Sequence, residues 1–183
     1  MSSTASPFGL RPAYHPSGVI RPVYTTIATG YATTIYQFQP IKIVAAGGIE
    51  AAAAGDRFIG TFLGVEWTDS DGRRRYSNKW TASTAGTDIV AYITRDPAIV
   101  YEIQSNAALT LADIGEQFDF SAAAGNTTTG LSSQTLDVSS TAANAGLRLL
   151  GITPGPDNAF GDTYVNAQVN ISEHQDVADV AAY

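Results

Sequence analysis

Cysteine is absent from the 183 residues, which excludes disulfides, thiolate metal sites and thiol catalysis and leaves packing, hydrogen bonding and assembly to stabilise the chain. Charge is scarce as well. Asp, Glu, Lys and Arg make up 15% of the residues, against about 25% in an average soluble domain. Threonine alone, at 20 residues, outnumbers the ten lysines and arginines. Such a surface is neutral, hydroxyl-rich and β-favouring. No stretch of 18 apolar residues occurs, and Met1 to Gly9 holds no base and no apolar run of signal-peptide length. A membrane span and a cleaved secretion signal are therefore not expected. Apolar residues reach 44%, but 28 of them are alanines, so the core is modest. The length suits one domain with an appendage.

The net charge of −7 is unevenly spread. Residues 1 to 95 carry nine bases and six acids, whereas residues 96 to 183 carry one base, Arg148, and eleven acids. An acidic chain with a pI near 4.6 is a poor nucleic-acid binder. Two halves of opposite sign can instead attract a second copy or a larger charged surface.

Prolines at 7, 12, 16 and 22 favour extended backbone, so residues 1–22 read as an N-terminal arm carrying Phe8, Leu10 and Tyr14, to lie either on the same domain as a tucked-in terminus or on a neighbouring molecule. Residues 23–172 read as a β-rich body. Val19 to Ile27 and Thr33 to Val44 have strand composition, and Pro40 puts the second at an edge or a bulge. Arg57 to Trp67 reads as a buried strand bent at Gly60 and Gly64. Thr68 to Arg75 reads as a turn, and Tyr76 to Trp80 returns as the second strand of a hairpin. Further strands fall at Asp88 to Arg95, Ala98 to Gln104, Leu136 to Ser139, Leu147 to Thr153 and Tyr164 to Ser172, the last with strict alternation. One helical turn fits Ala107 to Gly115. The small polar run 121–135 reads as a long surface loop, and residues 173–183 as an acidic tail. The expected fold is all-β, a single β-sandwich or β-barrel with an extended arm and little helix.

Catalytic signatures are sparse. His15 and His174 lie in no recognised motif, and G-x-S-x-G is absent, which points to structural or solvent-exposed roles for both histidines. Asp69-Ser-Asp71-Gly72 resembles the opening of a calcium loop, yet position 80, where that loop needs Glu, is Trp. Phosphate-binding glycine motifs are missing, so no cofactor is implied. Arg73, Arg74 and Arg75 form the one basic cluster, better suited to a solvated or interface patch than to nucleic acid. Trp67 and Trp80 flank the hairpin and can pair across it, or they can present a sugar-binding face.

The order of short motifs adds a resemblance. Pro7-Phe-Gly-Leu-Arg-Pro12, Ala53-Ala-Gly-Asp-Arg-Phe-Ile-Gly60, Gly64-Val-Glu-Trp67 and the turn Asp69 to Gly72 look like small structural proteins of tailed-bacteriophage virions. So do Asp96-Pro97 before Tyr101-Glu-Ile-Gln104, Ala112-Asp-Ile-Gly115, and Leu147-Arg-Leu-Leu-Gly-Ile152 before Pro156-Asp-Asn158. What the resemblance implies is a capsid decoration, or cement, protein. Such a protein is a non-enzymatic dimer or trimer on the outer surface of the capsid that bridges subunits of the major capsid protein. Candidate capsid or subunit contacts, taken from composition, are Phe8, Leu10, Arg11, Tyr14, Arg21, Arg73, Arg74 and Arg75. In this picture the arm lies over a neighbour, and its removal to residue 18 leaves the domain folded. A carbohydrate-binding or host-adhesion module and a tail or connector component are the alternatives, with a hydrolase last.

Overall fold

The computed structural model describes residues 4–142 and 145–177. Strands follow in chain order as β1 (Arg11–Tyr14), β2 (Val23–Thr25), β3 (Pro40–Val44), β4 (Gly48–Ala51), β5 (Gly60–Thr68) and β6 (Arg74–Ser77). After them come β7 (Thr87–Ile93), β8 (Val100–Gln104), β9 (Gln117–Phe120), β10 (Leu136–Asp137), β11 (Leu147–Ile152) and β12 (Asn166–Ile171). The strands pair antiparallel into two sheets. The first runs β1-β8-β12-β11-β9-β10, and the second β2-β7-β5-β3-β4 with β6 added beside β5. The chain is all-β, and the arrangement is consistent with a sandwich. Helical content is slight, as expected; one 3-10 turn, Leu111–Asp113, falls inside the segment where a helical turn was expected.

Each sheet has its own apolar cluster. In β12, Ala167, Val169 and Ile171 are buried while Asn166, Gln168 and Asn170 face outward, the alternation that the sequence displays. With Tyr101, Ile103, Phe118, Phe120, Leu147 and Leu149 they form the first core. Ile41, Ile49, Ile59, Phe62, Val65, Trp80, Ala91 and Ile93 form the second. Phe58, on the approach to β5, belongs to the first core and meets Phe120 edge-on at 5.6 Å. Gly60 then lets the backbone pass against the second sheet's neighbour. Its φ is +157°, and a Cβ there would stand 1.9 Å from the Thr94 carbonyl oxygen.

Several expectations are corrected. Pro40 is not at an edge: β3 lies between β5 and β4, and proline is tolerated because it is the first residue of the strand, where its carbonyl accepts from the Ala52 amide. The Thr33 to Gln39 part of that expected strand contributes only single bridges, Ile35 with Trp80 and Gln37 with Leu131. Phe38, at φ 65°, interrupts the extended backbone there.

The residues read as an arm are built into the body. Leu10 is fully buried in the first core, its amide donates to the Phe38 carbonyl, and β1 pairs with β8. Leu10 therefore cannot serve as an exposed contact. Gly9, at φ 78°, permits this entry, since a Cβ there would lie 2.6 Å from the Phe38 carbonyl oxygen.

The loop 121–135 is partly folded in. Ser132 and Gln134 are buried, and the Ser132 amide donates to the Gln37 carbonyl. The first part of the acidic tail is also internal. His174 bridges to Phe58, Gln175 exchanges hydrogen bonds with the Ile43 backbone, and Arg95 grips Asp176 at 2.7 and 3.1 Å. The remainder of the tail, 178–183, lies outside the described residues.

Candidate functional site

Two surfaces gather the exposed side chains that chemistry can use. The first follows from the path of residues 11–25, which supply the outermost strand of both sheets: β1 beside β8 and β2 beside β7. The outer backbone groups of an edge strand are free to pair with another chain. Between the two edges lies a groove of about 360 Å³, lined by Val19, Ile20, Val23 and Ile99 with Arg21, His15, Ser17 and Asp96. Val19 and Val23 are exposed in it, and Tyr14 is exposed in the strand that leads into it.

Within the groove, the Ser17 amide donates to His15 Nδ1 at 3.0 Å, and the Ser17 hydroxyl lies 2.6 Å from the same nitrogen. The ring proton is thereby set on Nε2, which faces Asp96 Oδ2 at 3.3 Å. Ser17, His15 and Asp96 are thus in line, the sequence of groups that activates a serine. Two features make the cluster a clasp. The imidazole nitrogen facing the hydroxyl is already closing the His15 to Gly18 turn, and Asp96 is more than half exposed, so water screens its hold on the ring.

The second surface is the outer face of the second sheet. Tyr24 stands opposite Tyr92, and Tyr76 opposite Glu66, so all four point away from the core occupied by Val65, Ala91 and Ile93. Tyr24 and Tyr76 are 74% and 72% exposed. Between them, the Tyr92 hydroxyl donates to Glu66 Oε1 at 3.0 Å, and the Arg74 guanidinium reaches the same oxygen at 2.8 Å. Arg74 also donates to the Asp88 carbonyl at 2.9 Å. Its guanidinium holds the Glu66 carboxyl below the usual carboxylate range, and the carboxylate in turn raises Arg74 and the Tyr92 phenol. The result is a flat face with a fixed, internally neutralised polar centre between two open aromatic rings.

The expected contact residues divide between these places. Phe8 is half-buried beneath Arg11, whose guanidinium carbon lies 4.6 Å from the ring centre, and Arg11 pairs with Glu102 at 2.5 Å. Arg21 lines the groove, and Tyr14 is exposed at the end of β1, one residue before His15. Arg73 is exposed at the hairpin, Arg75 meets Asp69 at 3.3 Å, and Arg74 belongs to the tyrosine face. The two groups are not brought together, since β2 and β6 lie three strand spacings, ~14 Å, apart. Trp67 and Trp80 do pair, edge-on at 5.9 Å, and Trp80 is fully buried. Sequence reading missed Tyr24, Tyr92 and Glu66. The period-2 pattern of Ile89, Ala91 and Ile93 against Val90 and Tyr92 is the signal that assigns Tyr92 to the outer face.

No group of three or more His, Asp or Glu side chains is placed to hold a metal among the described residues, and no helix there is long and apolar enough to cross a membrane. The chain matches no protein-family model, no curated protein and no solved structure.

Proposed function

We propose that this chain is a non-enzymatic structural protein of a tailed-bacteriophage virion, bound to the outside of the capsid and stabilising it by bridging subunits of the major capsid protein. The observation that carries the reading is the tyrosine face. Tyr and Arg are the residue types that dominate binding energy at protein interfaces, and here Tyr24, Tyr76 and Arg74 are held on a rigid sheet rather than on a loop. A rigid face loses little side-chain entropy on docking. Repetition over many capsid sites makes a modest contact sufficient, because neighbouring contacts raise each other's effective concentration. The motif order described above supplies the partner class.

Counting copies in purified particles tests the reading. Hundreds of copies per head, reduced when Tyr24 and Tyr76 are changed to alanine, support it. A handful of copies, or none, overturns it. The sugar-binding alternative moves from the packed tryptophans to these same tyrosines, and binding of a neutral glycan with no capsid occupancy decides for it. A hydrolase rests on the Ser17–His15–Asp96 line alone. Ester turnover abolished by Ser17→Ala is the result that would establish it.

A further inference from the structure

A third exposed patch lies across the molecule from the groove. Leu111 is 71% exposed, with Ile114 and Leu150 also open to solvent. The turn that carries Leu111 and Ile114 is laid along β11, which carries Leu150, because the Gly115 amide donates to the Leu149 carbonyl and the Leu149 amide to the Glu116 carbonyl. Asp113 and Glu116 rim the patch. Asp113 is occupied, its carboxylate accepting from the Thr110 amide and hydroxyl at 2.6 and 2.9 Å, whereas Glu116 is exposed. Glu116 therefore sets an acidic charge at the edge of the patch.

The groove is its opposite. No Asp or Glu precedes Glu50, so the segment that builds both outer edges carries only basic charge. Arg21 is exposed on the groove wall, and the one acid there, Asp96, is engaged by His15. The two patches cannot meet within one molecule: β1 and β9 are four strand spacings, ~19 Å, apart across the first sheet.

We propose that copies of this chain associate head to tail, with the Leu111 to Ile114 turn of one seated in the groove of the next and Glu116 beside Arg21. Apolar side chains meet apolar side chains, and an acidic rim meets a basic one. Because the two patches differ, the contact is heterologous, so it cannot give a two-fold dimer, and copies related by a closing rotation form a ring. The tyrosine face is left free, so this assembly goes beyond the capsid reading and does not depend on it.

Native mass spectrometry and sedimentation of the full chain test the interface, with circular dichroism to confirm that each variant is folded. Wild type is expected as a closed oligomer. Leu111→Asp, Arg21→Glu and Glu116→Arg, all at exposed positions, are each expected to weaken association at least tenfold. Mixing Arg21→Glu with Leu111→Asp is the decisive arm. The first keeps a native turn and the second a native groove, so the mixture forms dimers and stops there. A monomeric wild type, a two-fold dimer, or an oligomer indifferent to all three variants overturns the proposal. Particle occupancy of a Tyr76→Ala variant reports on the capsid reading separately.

Discussion

The hydroxyls of Thr94 and Tyr101 lie 2.9 Å apart in a fully buried seam, one at the end of β7 in the second sheet and the other in β8 of the first. Thr94 Oγ1 also accepts from the Thr61 amide at 2.9 Å and lies 3.1 Å from the Thr61 hydroxyl. Three polar groups buried between two apolar clusters are stable only as a set. Burial pushes the Tyr101 phenol above its ordinary range, so it stays protonated as a donor.

Thr94→Val is accordingly expected to cost about 3 kcal/mol, because it strands both the Thr61 amide and the Tyr101 hydroxyl, while Tyr101→Phe costs about 1 kcal/mol. Urea unfolding measures both. Equal losses would mean that Thr94→Val leaves the Thr61 amide no worse off than Tyr101→Phe does.

Removal of residues 1 to 18 is expected to unfold the domain, contrary to the behaviour of a free arm. It deletes β1 and takes the Leu10 side chain out of the first core. Leu10→Ala alone should lower stability by about 3 kcal/mol. A truncated chain with an unchanged thermal midpoint would refute the integration of this segment.

Acidification is expected to destabilise the fold in two stages. Burial lowers the His174 pKa below its ordinary 6.5, against the opposing influence of Asp176. Between those two values the unfolded chain binds a proton that the folded one does not. The stabilisation is therefore complete above about pH 6.5 and is lost as pH falls toward the depressed value. Asp176, lowered by Arg95, and Asp56, lowered by Lys42, add a second loss as pH falls through their depressed values, below the usual carboxylate range. Thermal melts from pH 8 to pH 2 resolve the stages. His174→Gln should remove the first and retain the second.

Much of this architecture is legible in the residues because it rests on local signals. The alternation of Val165 to Ile171, the Asp69 to Gly72 turn and the Trp67–Trp80 pair each follow from a few neighbouring positions. The fate of residues 4–22 is not local. Prolines and a Gly-Leu step are equally compatible with an arm over a neighbour and with an edge strand. The choice is made by pairing Arg11 with Glu102, far along the chain. The β3–β4 hairpin is hidden for another reason: Gly47 and Gly48 look like a flexible run until Ile43 and Ile49 are seen to face each other. The tyrosine face is spread over four strands, so no window of sequence contains it.

The walls of the groove come from residues 15–23 and 96–99, which emerge from the ribosome far apart in time. Its first wall is flanked by β1 and β2, whose pairing partners are β8 and β7. A chain that ends before residue 96, or that has folded only its central hairpins, has no groove. Competence to join an assembly through that groove thus depends on bringing two distant stretches of the chain together, and a subunit that has not done so offers no seat for a neighbour.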